Sequence, residues 1–225
     1  RCLGVAGDGL LALQPLSALT TLDLSHNRHT ISGKGLGSLQ LLTGITSLDL
    51  SRNGVLCDEG LEALHQLEKL TYLNLSWCQA KQLSALQPLT ALSCLNLSHS
   101  WWDYASLAEL KHLPALTCLN LAHCRIADDG LDTLEPLTRL RCLNLECNNF
   151  GSARLIALQQ MTQLRRLNLS RCTRLSDKGL VTLHALPALK YLNLDDCPRL
   201  TNKGLAPVQH KLCRGSKCRC ICKMR

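Results

Sequence analysis

The sequence predicts an α/β solenoid, a curved arc with a parallel concave β-sheet and short convex helices. The main observation is a frame, Leu-x-x-Leu-x-Leu-x-x-(Asn/Cys), that recurs eight times at intervals of 22 to 26 residues. Its first positions are Leu19, Ile45, Leu70, Leu92, Leu116, Leu140, Leu164 and Leu189. A unit this short cannot bury its own apolar face and must stack on its neighbours. We therefore expect one continuous domain over residues 1–210, with one partial and eight further repeats.

The middle of each frame predicts a short strand. In one repeat, alternation puts Leu119 and Leu121 on one face of the chain and Cys118 and Asn120 on the other. Strands from successive repeats would pair in parallel about 4.8 Å apart, with leucines towards the core and the other face exposed on the concave side.

The ninth frame position predicts a turn away from the sheet. It is occupied by Asn27, Asn53, Cys78, Ser100, Cys124, Asn148, Cys172 and Cys197. All of these side chains are small and can donate a hydrogen bond, which suits a place where inward-pointing carbonyls need partners.

A second motif follows the turn and predicts the convex helices. It reads Cys57-Asp-Glu-Gly-Leu61, Ala127-Asp-Asp-Gly-Leu131, Ser176-Asp-Lys-Gly-Leu180 and Thr201-Asn-Lys-Gly-Leu205. The polar residues at its start can cap free backbone N–H groups, and the leucines that follow have helical spacing. Pro15, Pro88, Pro114, Pro136 and Pro187 stand where each convex segment must end.

Two columns of the concave face could be structural or functional. Cys94, Cys118 and Cys142 share one position in successive repeats, which favours a ladder of small residues over a metal site, because parallel strands hold neighbouring side chains without convergence. The next position reads Asp23, Asp49, Asn74, Asn96, Asn120, Asn144, Asn168 and Asn193. Since this second column barely varies, we expect amides that bond along the ladder rather than contact a ligand.

The passages from Cys172 to Leu180 and from Cys197 to Leu205 resemble the cysteine-containing subtype of leucine-rich repeat. This subtype is typical of F-box leucine-rich-repeat proteins and of relatives of the antagonist of the mitotic exit network. The resemblance implies the substrate-binding arc of a ubiquitin-ligase (SCF) receptor, whose separate F-box recruits the other ligase subunits. Asn27, Asn53 and Asn148 depart from the family cysteine, and the repeats at 79–83 and 101–107 lack the Asp-x-Gly-Leu opening.

The two ends of the sequence differ from the repeats. Residues 1–10 align without gaps on residues 171–180, so we expect the chain to begin within a repeat, with any F-box in a preceding part of a longer protein. Residues 211–225 hold six basic and no acidic residues together with four cysteines. This segment predicts a basic, disordered tail, with metal binding or membrane association as alternatives.

Charge and cysteine usage narrow the functional classes. The net charge is +8, and only +2 remains without the six basic residues of 211–225, which gives no support to nucleic-acid binding. Most of the 14 cysteines recur at fixed phases of the repeat, which favours packed thiols and a cytoplasmic or nuclear location. No catalytic triad or phosphate loop is visible, so we expect a protein that is not an enzyme and needs no cofactor.

Aromatic residues mark the candidate binding surface. Only 3% of the chain is aromatic, yet its three tryptophans lie in two adjacent repeats. Trp102 aligns with Ile126 and Phe150 and should fill the core, whereas Trp77 and Trp101 should face solvent. The predicted patch, with two arginines extending it towards an acidic segment of a protein partner, comprises Tyr72, Trp77, His99, Trp101, Arg166 and Arg171. A ligase receptor, a general scaffold and a NOD-like sensor stay open, the last disfavoured by the period of about 24 residues.

Overall fold

The computed structural model describes residues 7–27, 33–56, 58–79 and 82–213. Its main feature is a parallel sheet of eight three-residue strands, one per repeat, in chain order across the sheet. These strands are β1 (Thr21–Asp23), β2 (Ser47–Asp49), β4 (Tyr72–Asn74), β6 (Cys94–Asn96), β7 (Cys118–Asn120), β8 (Cys142–Asn144), β9 (Arg166–Asn168) and β10 (Tyr191–Asn193). Two shorter strands, β3 (Gly54–Val55) and β5 (Cys78–Gln79), form a separate parallel pair after the turns.

Strand register follows the sequence frame. Leu95, Leu119 and Leu143 are direct partners in successive strands, and so are Cys94, Cys118 and Cys142. The leucines point inward and are fully buried, as are Leu97 and Leu121 two residues on. The predicted register is therefore confirmed, and one leucine-lined core runs the length of the stack.

Short helices cover the convex side of the core. The α-helices are α1 (Gly33–Gly37), α2 (Asp58–Glu62), α3 (Tyr104–Ala108), α4 (Asp128–Asp132), α5 (Asp177–His184) and α6 (Asn202–Leu205). The 3₁₀ segments are Gly7–Leu13, Ser38–Leu41, Ala63–Gln66, Ser84–Leu86, Glu109–His112, Ser152–Leu158 and Ala206–Lys211. In the described ranges no helix has the length and apolar content that crossing a bilayer requires.

The aspartate of the Asp-x-Gly-Leu motif bonds to the next coil and does not make the predicted cap. The Asp128 carboxylate accepts the N–H of Gly151, 2.6 Å away in the next coil, and Asp177 accepts the N–H and hydroxyl of Thr201. These carboxylates therefore tie adjacent coils together. Side-chain capping does occur at Thr201 and at Asp103, which starts a helix in a repeat that lacks the motif.

The glycine of the same motif permits this close stacking. A Cβ placed on Gly204 would lie 2.0 Å from the Asp177 carboxyl carbon, and one on Gly179 would lie 2.8 Å from Leu155. Both distances are shorter than any tolerable contact, so neighbouring coils can approach only because the side chain is absent.

The ninth-position side chains satisfy carbonyls as predicted. Asn53 donates to the carbonyl oxygens of Leu24 and Leu50, which belong to two successive coils. Cys124 donates to Leu97 of the preceding coil at 3.2 Å. Equivalent bonds to the preceding coil are made by Cys78, Asn148, Cys172 and Cys197. Asparagine and cysteine are therefore alternative solutions to one hydrogen-bonding requirement.

The last described residues remain packed on the solenoid. The sequence therefore predicts the start of the tail, at residue 211, too early in the chain. Lys211 occupies a core position but is accommodated because its ammonium donates to the carbonyls of Leu183, His184 and Leu186. Burial lowers the pKa of this amine. Leu212 then pairs with Leu192 in the manner of a further strand. Residues 214–225 and the repeat start at residues 1–6 lie outside the described residues.

Candidate functional site

A tight turn at the carboxyl end of each strand builds the candidate site. The Asn120 side-chain oxygen accepts the N–H of Ala122, and the following residue, His123, has a φ of 56°. The same bond recurs at Asp23, Asp49, Asn74, Asn96, Asn144, Asn168 and Asn193. The Asn column is thus structural, but its bonds hold each turn instead of running amide to amide along the sheet. The Asn74–Asp49 bond does link two coils.

These turns hold non-glycine residues in the left-handed conformation. At one frame position all eight residues have a φ between 55° and 65°, and we call this position the turn column: His26, Arg52, Trp77, His99, His123, Cys147, Arg171 and Asp196. Arg125, at another position, also has a positive φ, of 57°. A left-handed conformation costs an L-residue roughly 1 kcal/mol, so the adjoining Asn-type bond offsets part of that strain. Its effect is to fix eight variable side chains in one row along the edge of the concave sheet.

In the middle of the turn column the rings form an aromatic stack. The ring centroids of Trp77 and His99 are 4.2 Å apart with planes 7° from parallel, and those of His99 and His123 are 4.4 Å apart at 11°. At one end the Arg52 guanidinium lies 5.4 Å from the Trp77 ring centroid. Stacking follows from the strand spacing, because side chains at one position of neighbouring parallel strands are about 4.8 Å apart.

The surroundings of His99 favour its neutral ring. The pKa of His99 is lowered, first by partial burial and then by repulsion from His123 and Arg52, with Glu146 acting in the opposite direction. A neutral imidazole presents a flat, partly apolar face, so the lowered pKa of His99 favours stacking of its ring between Trp77 and His123, and we call these three residues the aromatic stack.

The predicted tryptophan positions are confirmed. Trp77 is 44% and Trp101 71% exposed, whereas Trp102 is buried and its indole N–H donates to the Leu97 carbonyl at 3.1 Å. Tyr72 is half-buried on β4, in register with Cys94. The structure brings Trp77 and His99 into contact, and Trp101 follows His99 by two residues along the exposed turn.

The two predicted arginines lie in one coil, two coils beyond His123 at the end of the stack, and they differ from each other. Arg166 places its guanidinium 5.1 Å from the Tyr191 ring centroid. Arg171 forms ion pairs with Asp196 at 3.4 Å and Glu146 at 3.9 Å. Its charge is therefore partly compensated within the chain, although such exposed pairs are weak.

His123 belongs to the site but is missing from the predicted patch. The sequence does indicate this residue, because Trp77, His99 and His123 share one frame position. Their rings stack when a regular turn holds that position in every coil.

The turn cysteines are buried, protonated thiols. Burial raises the pKa of Cys78 to about 11 and those of Cys124 and Cys172 to about 12. None of the four turn cysteines is in a disulfide. Within the part of the chain that the structure describes, no group of three or more His, Cys, Asp or Glu side chains is placed to hold a metal ion.

Comparisons with known proteins agree with this geometry. Two family models, both described as leucine-rich repeat, match the chain: one over residues 138–198, the other over residues 17–39, 43–64, 66–79 and 112–134. The chain belongs to the leucine-rich-repeat proteins. A search of curated protein sequences gives no significant match.

Solved structures with the same fold come from several contexts. Internalin C2 of Listeria monocytogenes is 25% identical with a TM-score of 0.68, and the match covers 88% of this chain and 81% of that one. Mouse RP105, in its complex with MD-1, is 24% identical with a TM-score of 0.66 over 97% of this chain and 41% of that one. TLR13, in its complex with ssRNA13, is 22% identical with a TM-score of 0.67, and the match covers 92% of this chain and 29% of that one.

Proposed function

We propose that this chain is a non-catalytic protein-interaction module that binds a protein partner at the turn edge of its concave face. The centre of the proposed surface is formed by Tyr72, Trp77, His99 and Trp101, and Arg166 and Arg171 extend it towards an acidic segment of the partner. The observation that carries the proposal is the exposed aromatic stack, in which Trp77 is 44% exposed although its ring lies 4.2 Å from that of His99.

The physical argument rests on preorganisation. Tryptophan and tyrosine dominate interface energies because they bury large areas with few rotatable bonds. Here the rings are already held by stacking and by the strained turns, so a partner would order little on binding. A protein is favoured over a nucleic acid or a membrane because the chain without residues 211–225 is nearly neutral overall, at +2.

The finer proposal is the substrate-binding arc of an F-box-type ubiquitin-ligase receptor. Its support is the cysteine-containing repeat, whose thiols at Cys172 and Cys197 donate to the carbonyls of the preceding coil. The alternative is a scaffold in signalling or the cytoskeleton without a ligase link. The complex of RP105 with MD-1 is an example of a protein partner on this fold. The proposed location is cytoplasmic or nuclear, and no cofactor is required.

Affinity capture from cell extract tests the interaction surface. Trp77→Ala and Trp101→Ala should each weaken capture of the same partner by about 2 kcal/mol or more. Val181→Ala is the matched control, because Val181 is 71% exposed but lies on convex helix α5. If both tryptophan variants capture the partners of the wild type at equal strength, the surface lies elsewhere.

The ligase proposal needs a separate test with the protein encoded by the full gene. Purification of that protein should recover the other ligase subunits together with the captured partner, and the two tryptophan variants should lose only the partner. Recovery of the partner without ligase subunits would favour the scaffold alternative.

A further inference from the structure

A second surface lies at the opposite edge of the sheet, where the strands begin. Arg141, Arg165 and Lys190 each directly precede a strand, in three successive coils. Backbone bonds from the N–H of Arg165 to the Arg141 carbonyl and from that of Lys190 to the Arg165 carbonyl fix them in one row. All three side chains are exposed, and none has a hydrogen-bond or ion-pair partner within the described ranges. We call this row the basic row.

The basic row occupies a position that in earlier coils holds threonine or serine side chains bonded to the preceding coil. In earlier coils the same position holds Thr46, Thr71, Ser93 and Thr117, whose hydroxyls donate to the carbonyl of the preceding coil. Three long cations about 4.8 Å apart cannot make that bond and repel one another, although water screens them. The substitution therefore weakens local hydrogen bonding and concentrates positive charge, and an anionic ligand would relieve the repulsion.

An apolar pocket adjoins the row. It has a volume of about 250 Å³ and is formed by two successive chain returns, at Leu113–Leu116 and Pro136–Arg139. Its polar lining comprises Thr138 and two cations, Lys111 and Arg139, and the Arg139 guanidinium donates to the Pro114 carbonyl at 3.2 Å. Arg139, which lines the pocket, is two residues before Arg141 in the chain, so the pocket lies beside the first residue of the basic row.

Carboxylates at the opposite edge of the sheet favour a short ligand over a nucleic-acid strand. Glu146, Asp195 and Asp196 lie at the turn edge of the same coils, about five residues and roughly 16 Å from the basic row along the chain. A nucleic-acid strand that crossed the face would meet these carboxylates, whereas a short segment along the starting edge would not. Four coils span about 15 Å between the outer strands, the length of about five extended residues.

We propose that this edge is a docking site for a short acidic peptide segment, with an apolar side chain in the pocket and carboxylates along the basic row. This surface is separate from the aromatic stack.

Fluorescence anisotropy with a synthetic peptide tests the site. The probe is a labelled ten-residue peptide with a leucine at each end and three aspartates separated by serines. Arg141→Gln, Arg165→Gln and Lys190→Gln together should weaken its binding at least about tenfold, and added salt should weaken binding to the wild type. The matched control neutralises Lys178, Arg199 and Lys203, which are exposed on other faces.

Four outcomes decide the proposal. Loss of binding in the basic-row variant alone supports it, as does a severalfold weaker affinity when the leucines of the peptide are replaced by serine. Equal loss in the control variant, or tighter binding of single-stranded RNA through the same three residues, would overturn it. Trp77→Ala should leave peptide affinity unchanged, so this test and that of the proposed function fail independently.

Discussion

At the scale of single residues, the turn combines strain with hydrogen-bond satisfaction. Each turn holds its turn-column residue at positive φ, and side chains on both sides of it meet backbone groups, as Asn96 and Ser100 do around His99. The residues that hold each turn and the variable residue that the turn exposes are therefore neighbours in the chain.

Cys124 tests the hydrogen-bonding role of the turn thiols. Cys124→Ala should lower the free energy of unfolding by about 1–2 kcal/mol, because the Leu97 carbonyl keeps only the Trp102 indole N–H as a side-chain donor and loss of the buried sulfur leaves a small cavity. Urea unfolding measures the change. Cys147→Ala is the control, since that thiol is half-exposed, and an equal loss in both variants would contradict the role.

Thiol reactivity provides an independent check. With its pKa raised to about 12 by burial, Cys124 should remain unmodified by an alkylating reagent at about pH 8 until the protein unfolds. Mass spectrometry of the native protein should find half-exposed Cys147 modified first. Rapid labelling of Cys124 in the folded chain would show that the turn is open.

The aromatic stack should make stability depend on pH. Because the pKa of His99 is lowered below its ordinary value of 6.5 in the folded chain, the unfolded chain takes up the proton first as the pH falls. The contribution of this residue is therefore present above that pH and is lost on acidification. Unfolding at about pH 7.5 and about pH 5.5 should show a smaller pH effect for His99→Gln than for the wild type. Equal pH effects would contradict protonation-sensitive stacking.

At the scale of elements, coil-to-coil contacts matter more than helix propensity. Among the described residues the longest α-helix, α5, has eight residues, and several convex segments are 3₁₀ helices. Isolated helices of this length would not be stable. Their glycines and acids instead join one coil to the next. Sequence patterns predicted where these elements lie, but not that Asp128 and Asp177 bond to the following coil, because that partner depends on stacking geometry.

Alanine substitutions at two glycines compare coil-to-coil packing with helix propensity. Gly204→Ala should destabilise the fold by about 1–3 kcal/mol, since the new methyl would lie 2.0 Å from the Asp177 carboxyl carbon. Gly37→Ala should instead stabilise it by about 0.5–1 kcal/mol, because no atom lies within 4 Å of the new methyl and alanine favours a helix. Thermal unfolding of both variants checks the prediction, and the same sign in both would contradict it.

At the scale of the whole molecule, the leucine frame predicted the strand order and register because one spacing repeats through the chain. The aromatic stack was predicted only in part. Trp77 and His99 were selected by exposure and rarity, but contact between their rings depends on turn conformation, which no single residue type encodes. Lys211 was misassigned to a disordered tail because its carbonyl partners come from α5, about 25 residues earlier.

The central claim is that a protein partner binds the turn edge around the aromatic stack. Hydrogen–deuterium exchange of the chain with and without its captured partner tests this claim most directly, because it reports the contacted backbone without mutation. We predict protection concentrated in residues 72–79, 94–102 and 118–125, with the convex helices unchanged. Protection confined to the convex helices, or absent from all three segments, would contradict the account.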